Sequence, residues 1–178
     1  MKKIFYGRAV YDQKEISAVD RVLKKESLTL IDGKNVKKLE SVIAKIFGKK
    51  YGLMVNPGSS ANLLALSSLK LKKGSEVITP TLTFSTTVAP IYQLGLIANF
   101  VGVLNNKFIA DPEQIKRAIN KNTSAIMIPN LLGNVADWKA IYDIAKKKNI
   151  PIIEDSADTI GYKYKSGNTG KFSDIVTN

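Results

Sequence analysis

The strongest constraint on the fold is an alternation of short apolar runs with longer helical patterns. Five runs, Tyr51–Val55, Glu76–Thr79, Ile97–Val101, Ser124–Ile128 and Ile150–Glu154, take turns with helical spacing over Ser59–Leu71, Phe84–Leu94, Pro112–Ile119 and Ala136–Lys148. Runs this short with no regular polar alternation predict strands covered on both faces, and helices at every crossover supply that cover in a parallel sheet. The expected fold class is therefore α/β, a mainly parallel sheet sandwiched by helices. Upstream, Ile16, Val19, Val22 and Leu23 fall at helical spacing between Asp12 and Lys25, with Asp12 as the N-cap. Leu28–Gly33 predicts a turn-ended extended piece. Asn35–Phe47 predicts a second helix with Val36, Leu39, Val42, Ile43 and Ile46 inward and Gly48 as its stop. With no repeat, low-complexity segment or linker, the chain reads as one domain.

Composition narrows the chemistry. A chain of 178 residues is long enough for a sizeable core. It holds no cysteine and no histidine, so disulfides, thiolate metal sites and imidazole catalysis are excluded within it. No apolar run approaches membrane-spanning length, and Gly7, Arg8 and Asp12 interrupt the start too early for a signal peptide, so a cytoplasmic location is expected. The net charge of +12 raises the question of nucleic acid. Lysine accounts for all the basic residues but Arg8, Arg21 and Arg117, and Lys37-Lys38, Lys72-Lys73 and Lys146-Lys147-Lys148 lie in helical segments or at their ends. Aromatic residues do not interleave with them as a stacking platform requires. These are solvated helix faces, and neither nucleic acid nor membrane is expected as a partner.

In open α/β sheets ligands bind beyond the carboxyl ends of the strands, so the residues that follow each run matter most. Asn56-Pro57-Gly58-Ser59-Ser60-Ala61-Asn62 follows the first. A glycine and two hydroxyls opening a helix offer free backbone N–H groups and the positive end of the helix dipole to a phosphate, although serine is also a preferred cap with no ligand present. It is not a P-loop, because no Gly-Lys-Ser/Thr follows. Thr79-Pro80-Thr81-Leu82-Thr83-Phe84 follows the second run, where Phe84 serves either as a core aromatic or as a stacking surface for a flat ring. Glu154 and Asp155 close the fifth. A carboxylate at a buried strand end needs a partner; a salt bridge or helix cap would serve, and so would a protonated pyridine nitrogen.

The segment "VNPGSSANLLAL", followed in order by "TPTLTFSTTVAPIYQLGLI", "IPNLLGNVADW" and "IIEDSADTIGYKYKSGNTGKFSD", resembles the DegT/DnrJ/EryC1/StrS family of fold-type-I pyridoxal-phosphate enzymes. The likeness spans nearly the whole chain. It implies an enzyme using pyridoxal 5'-phosphate or pyridoxamine 5'-phosphate on a nucleotide-linked 4-keto sugar, working as a homodimer. Within the family, "EDSAD" with "GSSANLLAL", "STTVAP" and "PNLLGN" is similar to the 3-dehydratases of CDP- or GDP-4-keto-6-deoxyhexoses in deoxysugar and lipopolysaccharide biosynthesis. Those enzymes carry His in place of the usual catalytic Lys. Matched by position, Gly58, Ser59 and Ser60 are implied to hold the phosphate, Phe84 to stack on the ring, Asp155 to pair with the pyridine nitrogen and Asp158 to lie near the phenolic edge. Glu154 has the opposite strand parity and is expected to be structural. Gly102 departs from the family, which generally has an acid there.

The resemblance places the catalytic Lys or His beyond Asn178, in or after the strand begun by "SDIVTN". Lys163, Lys165 and Lys171 lie in the hairpin before that strand. The expectation is an incomplete cofactor-binding large domain, residues 1–178, inactive alone and lacking the family's small domain. Two alternatives stay open: a nucleotide-sugar aminotransferase of the same family, and a non-catalytic α/β binding module in which Gly58-Ser59-Ser60 is only a cap.

Overall fold

A computed structural model describes residues 5, 7–25, 30–164 and 167–178. Leu28 and Thr29 of the expected extended piece, and Lys165, lie outside the described residues. The sheet has five strands, β1 (Glu76–Pro80), β2 (Ile97–Val101), β3 (Thr123–Pro129), β4 (Ile152–Asp155) and β7 (Ile175–Thr177). They pair in the order β2-β1-β3-β4-β7, all parallel. A two-residue hairpin, β5 (Lys163–Tyr164) and β6 (Gly167–Asn168), precedes β7. The helices are α1 (Gln13–Lys25), α2 (Lys34–Ile46), α3 (Gly58–Ser68), α4 (Ser85–Gln93), α5 (Pro112–Ala118) and α6 (Trp138–Lys146).

Strand parity builds the core on both faces of the sheet. Ile78, Ile126, Ile128 and Ile152 pack on one side with Ile115 of α5 and with Trp138 and Ile141 of α6. Val77, Ala125, Met127 and Ile153 pack on the other with Leu66 of α3 and Ile91 of α4. Fully burying one such aliphatic side chain is worth about 1.5–3 kcal/mol, so the three central strands, β1, β3 and β4, are the most firmly held part of the sheet. Asp111 caps α5 by accepting from the Glu113 N–H (2.9 Å), with Pro112 in the first helical position. Asp137 caps α6 by accepting from the Ala140 N–H (3.1 Å).

The N-terminal region is built differently. Asp12 caps α1 reciprocally, accepting from the Lys14 N–H (2.7 Å) while its own N–H donates to Glu15 (2.8 Å). No α1 residue is buried, and Ile16, Val19 and Leu23 face outward. In α2 the inward expectation is corrected for Leu39 and Val42, which are exposed; Ala44 and, just past the helix, Phe47 are buried instead. Gly48 stops α2 at φ +63°, as its position predicts.

One expected strand is absent. Tyr51–Val55 joins no sheet among the described residues, and Tyr51 and Leu53 are exposed. The segment lies against α2, where the Met54 N–H donates to Glu40 (2.8 Å) and a Cβ at Gly52 would stand 2.4 Å from the Glu40 carbonyl oxygen. A cavity of about 330 Å³ lined by both Leu53 and Val176 lies between it and β7. Apolar composition makes a strand possible, but only a neighbouring backbone makes one.

The Gly102 departure has a local reason. Its N–H donates to the Gln114 side-chain oxygen (2.7 Å), and a Cβ there would meet the Gln114 amide at 2.7–2.8 Å. Gln114 thus fills the space that an acidic side chain would need.

Candidate functional site

The chain runs from β1 outward to β2 and then crosses to β3 on the other side of β1, so the connections reverse between β1 and β3. Crevices open at such reversals, beyond the carboxyl ends of the strands. A cavity of about 320 Å³ sits there. Its walls come from the start of α3 (Gly58, Ser59, Asn62), the turn from β1 into α4 (Phe84, Thr86, Thr87), the residues after β3 (Asn130 to Leu132) and the end of β4 (Asp155, Ala157, Asp158). Five of the six residues that the sequence nominated, Gly58, Ser59, Phe84, Asp155 and Asp158, therefore face one space.

At the start of α3, Pro57 has no N–H to offer, and the Ser60 and Ala61 N–H groups bond back to the Pro57 carbonyl (2.9 and 3.3 Å). The N–H groups of Gly58 and Ser59 have no such bond among the described residues. They are the orphan donors that a helix N-terminus presents to an anion. Nothing among the described residues demands glycine at position 58, since a Cβ there would meet only the Asn178 carbonyl group, at 3.8–3.9 Å. Ser60 is placed apart from the others: its hydroxyl turns back to the Asn56 carbonyl (3.2 Å), and it does not line the cavity.

Phe84 occupies the N-cap position of α4 and is 66% exposed, which removes the core-aromatic reading. Asp158 accepts from the Leu132 N–H (2.7 Å) and so pins the turn Leu131–Gly133, in which Leu132 holds a left-handed φ of +55°. That carboxylate both braces the turn and borders the cavity.

The two acids at the end of β4 point to opposite faces. Glu154 follows the parity of Ile152, is fully buried, and accepts four hydrogen bonds: from Asn130 (3.0 Å), Ser156 (2.8 Å), the Gly170 N–H (2.9 Å) and Ser173 (3.0 Å). Both its oxygens are saturated. Asn130 in turn accepts from the Trp138 indole N–H (2.9 Å), tying this network to α6. Lys49 donates to the Ser173 carbonyl; burial lowers its ammonium from the ordinary lysine value, opposed by the carboxylates of Glu154 and Asp174.

Asp155 follows the parity of Ile153, toward α3 and α4. Its Oδ2 accepts from Asn62 (2.9 Å) and Thr87 (2.8 Å), whereas Oδ1 accepts, among the described residues, only a long contact from the Ala157 N–H (3.4 Å). Sequence reasoning missed Asn62, Thr87 and Asn130. A signal for Asn62 was present: it shares a helical face with Ala65 and Leu66, so a polar residue stands where α3 turns inward.

A donor pair for an anion, an exposed aromatic face and a carboxylate oxygen with spare acceptor capacity fit a flat, phosphorylated ring with a basic nitrogen. The groups are complementary in chemistry and converge on one cavity.

A family model described as the DegT/DnrJ/EryC1/StrS aminotransferase family matches residues 10–178. The GDP-4-keto-6-deoxy-D-mannose 3-dehydratase of Yersinia pseudotuberculosis is 37% identical over 170 residues, covering 92% of this chain and 43% of that protein. The dTDP-4-dehydro-2,6-dideoxy-D-glucose 3-dehydratase of Saccharopolyspora spinosa is 39% identical over 179 residues, covering 96% of this chain and 38% of that protein. The solved structure of the E. coli GDP-4-keto-6-deoxy-D-mannose-3-dehydratase with bound hydrated PLP superposes with a TM-score of 0.82 at 36% identity, covering 90% of this chain and 42% of that one. The chain thus spans about two fifths of the length of the proteins that it matches.

Proposed function

The chain belongs to the DegT/DnrJ/EryC1/StrS aminotransferase family, and on that premise we propose that it binds pyridoxal 5'-phosphate or pyridoxamine 5'-phosphate in an enzyme acting on a nucleotide-linked 4-keto-6-deoxy sugar. The reaction we assign is the 3-dehydration of that sugar, a step of deoxysugar biosynthesis. The observation that carries this reading is the convergence of Gly58 and Ser59, whose N–H groups open α3, with the carboxylate of Asp155 in one cavity. The 3-dehydratase names of the two relatives support the reaction class.

When bound, the cofactor supplies an electron sink through its pyridine ring. The chain's own residues hold it there. Gly58 and Ser59 donate backbone N–H groups to the phosphate, aided by the α3 dipole, and the Ser59 and Ser60 hydroxyls are assigned to the same anion. Serving Ser60's part requires its hydroxyl to leave the Asn56 carbonyl. Phe84 covers one ring face and keeps water from it. Asp155 would accept a hydrogen bond from the ring N–H and so keep that proton in place. Asp158 stands by the phenolic edge as an acceptor. The group that moves protons at the sugar, His in a dehydratase or Lys in an aminotransferase, lies outside residues 1–178 in this reading, as does the small domain. The complete enzyme is assigned as a cytoplasmic homodimer. Among the described residues no helix is long and apolar enough to cross a membrane.

The test uses the complete gene product. Incubation with pyridoxamine 5'-phosphate and a GDP- or CDP-linked 4-keto-6-deoxyhexose should remove the 3-hydroxyl, read by mass spectrometry. An amine at C4 with the 3-hydroxyl retained would establish the aminotransferase instead. No change in the absorbance of pyridoxal phosphate on mixing would leave only a binding module without this cofactor.

A further inference from the structure

Asp155 does not stand alone. Its Oδ2 is held by Asn62 from α3 and by Thr87 from α4, and Asn62 is itself held by Thr177 from β7, whose hydroxyl donates to Asn62 Oδ1 at 2.6 Å. All four residues are buried, at 8% exposure or less. The Asn62 amide also donates to the Thr86 carbonyl (3.2 Å), so both of its N–H bonds and its oxygen have partners. Burying a primary amide costs free energy unless it is fully paired, and here the pairing fixes its direction. Flipping the amide would set its oxygen against two acceptors, Asp155 Oδ2 and the Thr86 carbonyl. The chain of donors therefore runs one way, from Thr177 through Asn62 to Asp155, with Thr87 adding a second donor to the same oxygen.

We infer that Asn62, Thr87 and Thr177 are positioning residues that immobilise Oδ2 of Asp155 and so reserve Oδ1 for the ring nitrogen of the cofactor. The inference rests on the cofactor reading above and adds to it the element that decides which oxygen works. Side chains from α3 and α4 meet the carboxylate carried by β4, and β7 backs one of them through Thr177, so the direction of that carboxylate is set by the fold and not by the rotamer preference of a lone side chain. Neither Thr87 nor Thr177 needs to touch the cofactor for this role.

The experiment uses the complete gene product loaded with pyridoxal phosphate labelled with ¹⁵N in the ring. The ring-nitrogen chemical shift and the cofactor dissociation constant are measured for wild type, Asp155→Asn, Thr87→Val, Thr87→Ser, Asn62→Leu and Thr177→Val. Wild type should show a protonated ring nitrogen, and Asp155→Asn should lose it. Thr87→Val and Asn62→Leu should move the shift toward the unprotonated position and weaken binding about tenfold, the scale of one buried hydrogen bond to a charged group. Thr177→Val should do so by a smaller factor, and Thr87→Ser should restore the wild-type shift. Cooperative unfolding of Thr87→Val and Thr87→Ser alike keeps the comparison valid if Asn62→Leu does not fold. If Asp155→Asn changes the shift while Thr87→Val and Thr177→Val match wild type, the positioning inference is overturned and the cofactor reading stands. If wild type binds no cofactor, or Asp155→Asn leaves the shift unchanged, the cofactor reading fails and takes the inference with it.

Discussion

Glu154 and Asp155 are neighbours in sequence and opposites in circumstance. Glu154 is closed: both oxygens are saturated by four donors drawn from the loop after β3, the residue after Asp155 and the segment before β7. Asp155 is half open: Oδ2 is clamped by two side chains, Oδ1 keeps acceptor capacity, and the residue lines a cavity. The difference comes from strand parity alone, which sends one carboxylate toward α6 and the other toward α3 and α4. A buried acid whose oxygens are all engaged is a structural bolt, whereas one with a free oxygen facing a cavity is equipped to bind.

The largest expected effect falls on the closed side. Glu154→Ala strands the Asn130 amide, two serine hydroxyls and the Gly170 N–H in a dry interior. Leaving such groups unpaired costs about 1–3 kcal/mol each before relaxation, so a loss of about 3–5 kcal/mol of stability is expected. Urea unfolding measures it, and a loss below about 1 kcal/mol would break the contrast by showing that Glu154 is dispensable.

On the cavity side the effects should appear in binding and spare the fold. Phe84→Ala removes an exposed ring that packs into no core cluster. Its expected cost is about 1 kcal/mol of cofactor binding from lost stacking, with stability changed by less than about 0.5 kcal/mol. Fluorescence titration with pyridoxal phosphate and a thermal melt separate the two quantities. Asp158→Ala releases the Leu132 N–H, an exposed contact, and should cost less than about 1 kcal/mol by urea unfolding, with binding weakened to a smaller degree than in Phe84→Ala.

The smallest effect concerns charge beside Glu154. Burial lowers the Lys49 ammonium below 10.5, its ordinary value, and the two nearby carboxylates only partly oppose this. The folded state therefore releases the Lys49 proton at lower pH than the unfolded state does. Stability linked to this group rises as pH climbs from the lowered folded value toward 10.5 and is lost as pH falls back through that folded value. Lys49→Met should remove that rise, so wild type should gain on the variant as pH is raised toward 10.5 in paired urea unfolding curves. A constant difference across that range would mean that Lys49 is solvated like an ordinary surface lysine.

What the sequence disclosed divides along the same line as the two acids. Four of the five expected strands form, because a run such as Ile126-Met127-Ile128 can be satisfied only by cover on both faces. Tyr51–Val55 is also largely apolar but has no partner strand among the described residues, and pairing is a property of the neighbourhood that no local pattern contains. Leu39 and Val42 were assigned inward by a helical stripe that the described residues leave uncovered. At the site, glycine, serine, phenylalanine and aspartate were legible because each follows a strand and each is suited to one piece of chemistry. Asn62, Thr87 and Thr177 were not. Asn62 and Thr87 meet at one oxygen of Asp155 from elements far apart in sequence, and Thr177 backs Asn62 from a third; the inward face of α3 marks Asn62 as unusual, but nothing local ties it to Asp155, and Thr read alone is an ordinary helix or strand residue.

The most direct test is cofactor binding by Asp155→Asn in the complete gene product, with urea unfolding of the same sample. An amide in place of the carboxylate keeps the shape and an acceptor, but removes the charge that the ring nitrogen's proton requires. The account predicts pyridoxal phosphate binding weakened at least about thirtyfold, on the order of 2 kcal/mol, with an unfolding midpoint close to wild type. Wild-type affinity in this variant would contradict it, and Glu154 and Asp155 would then both be structural acids.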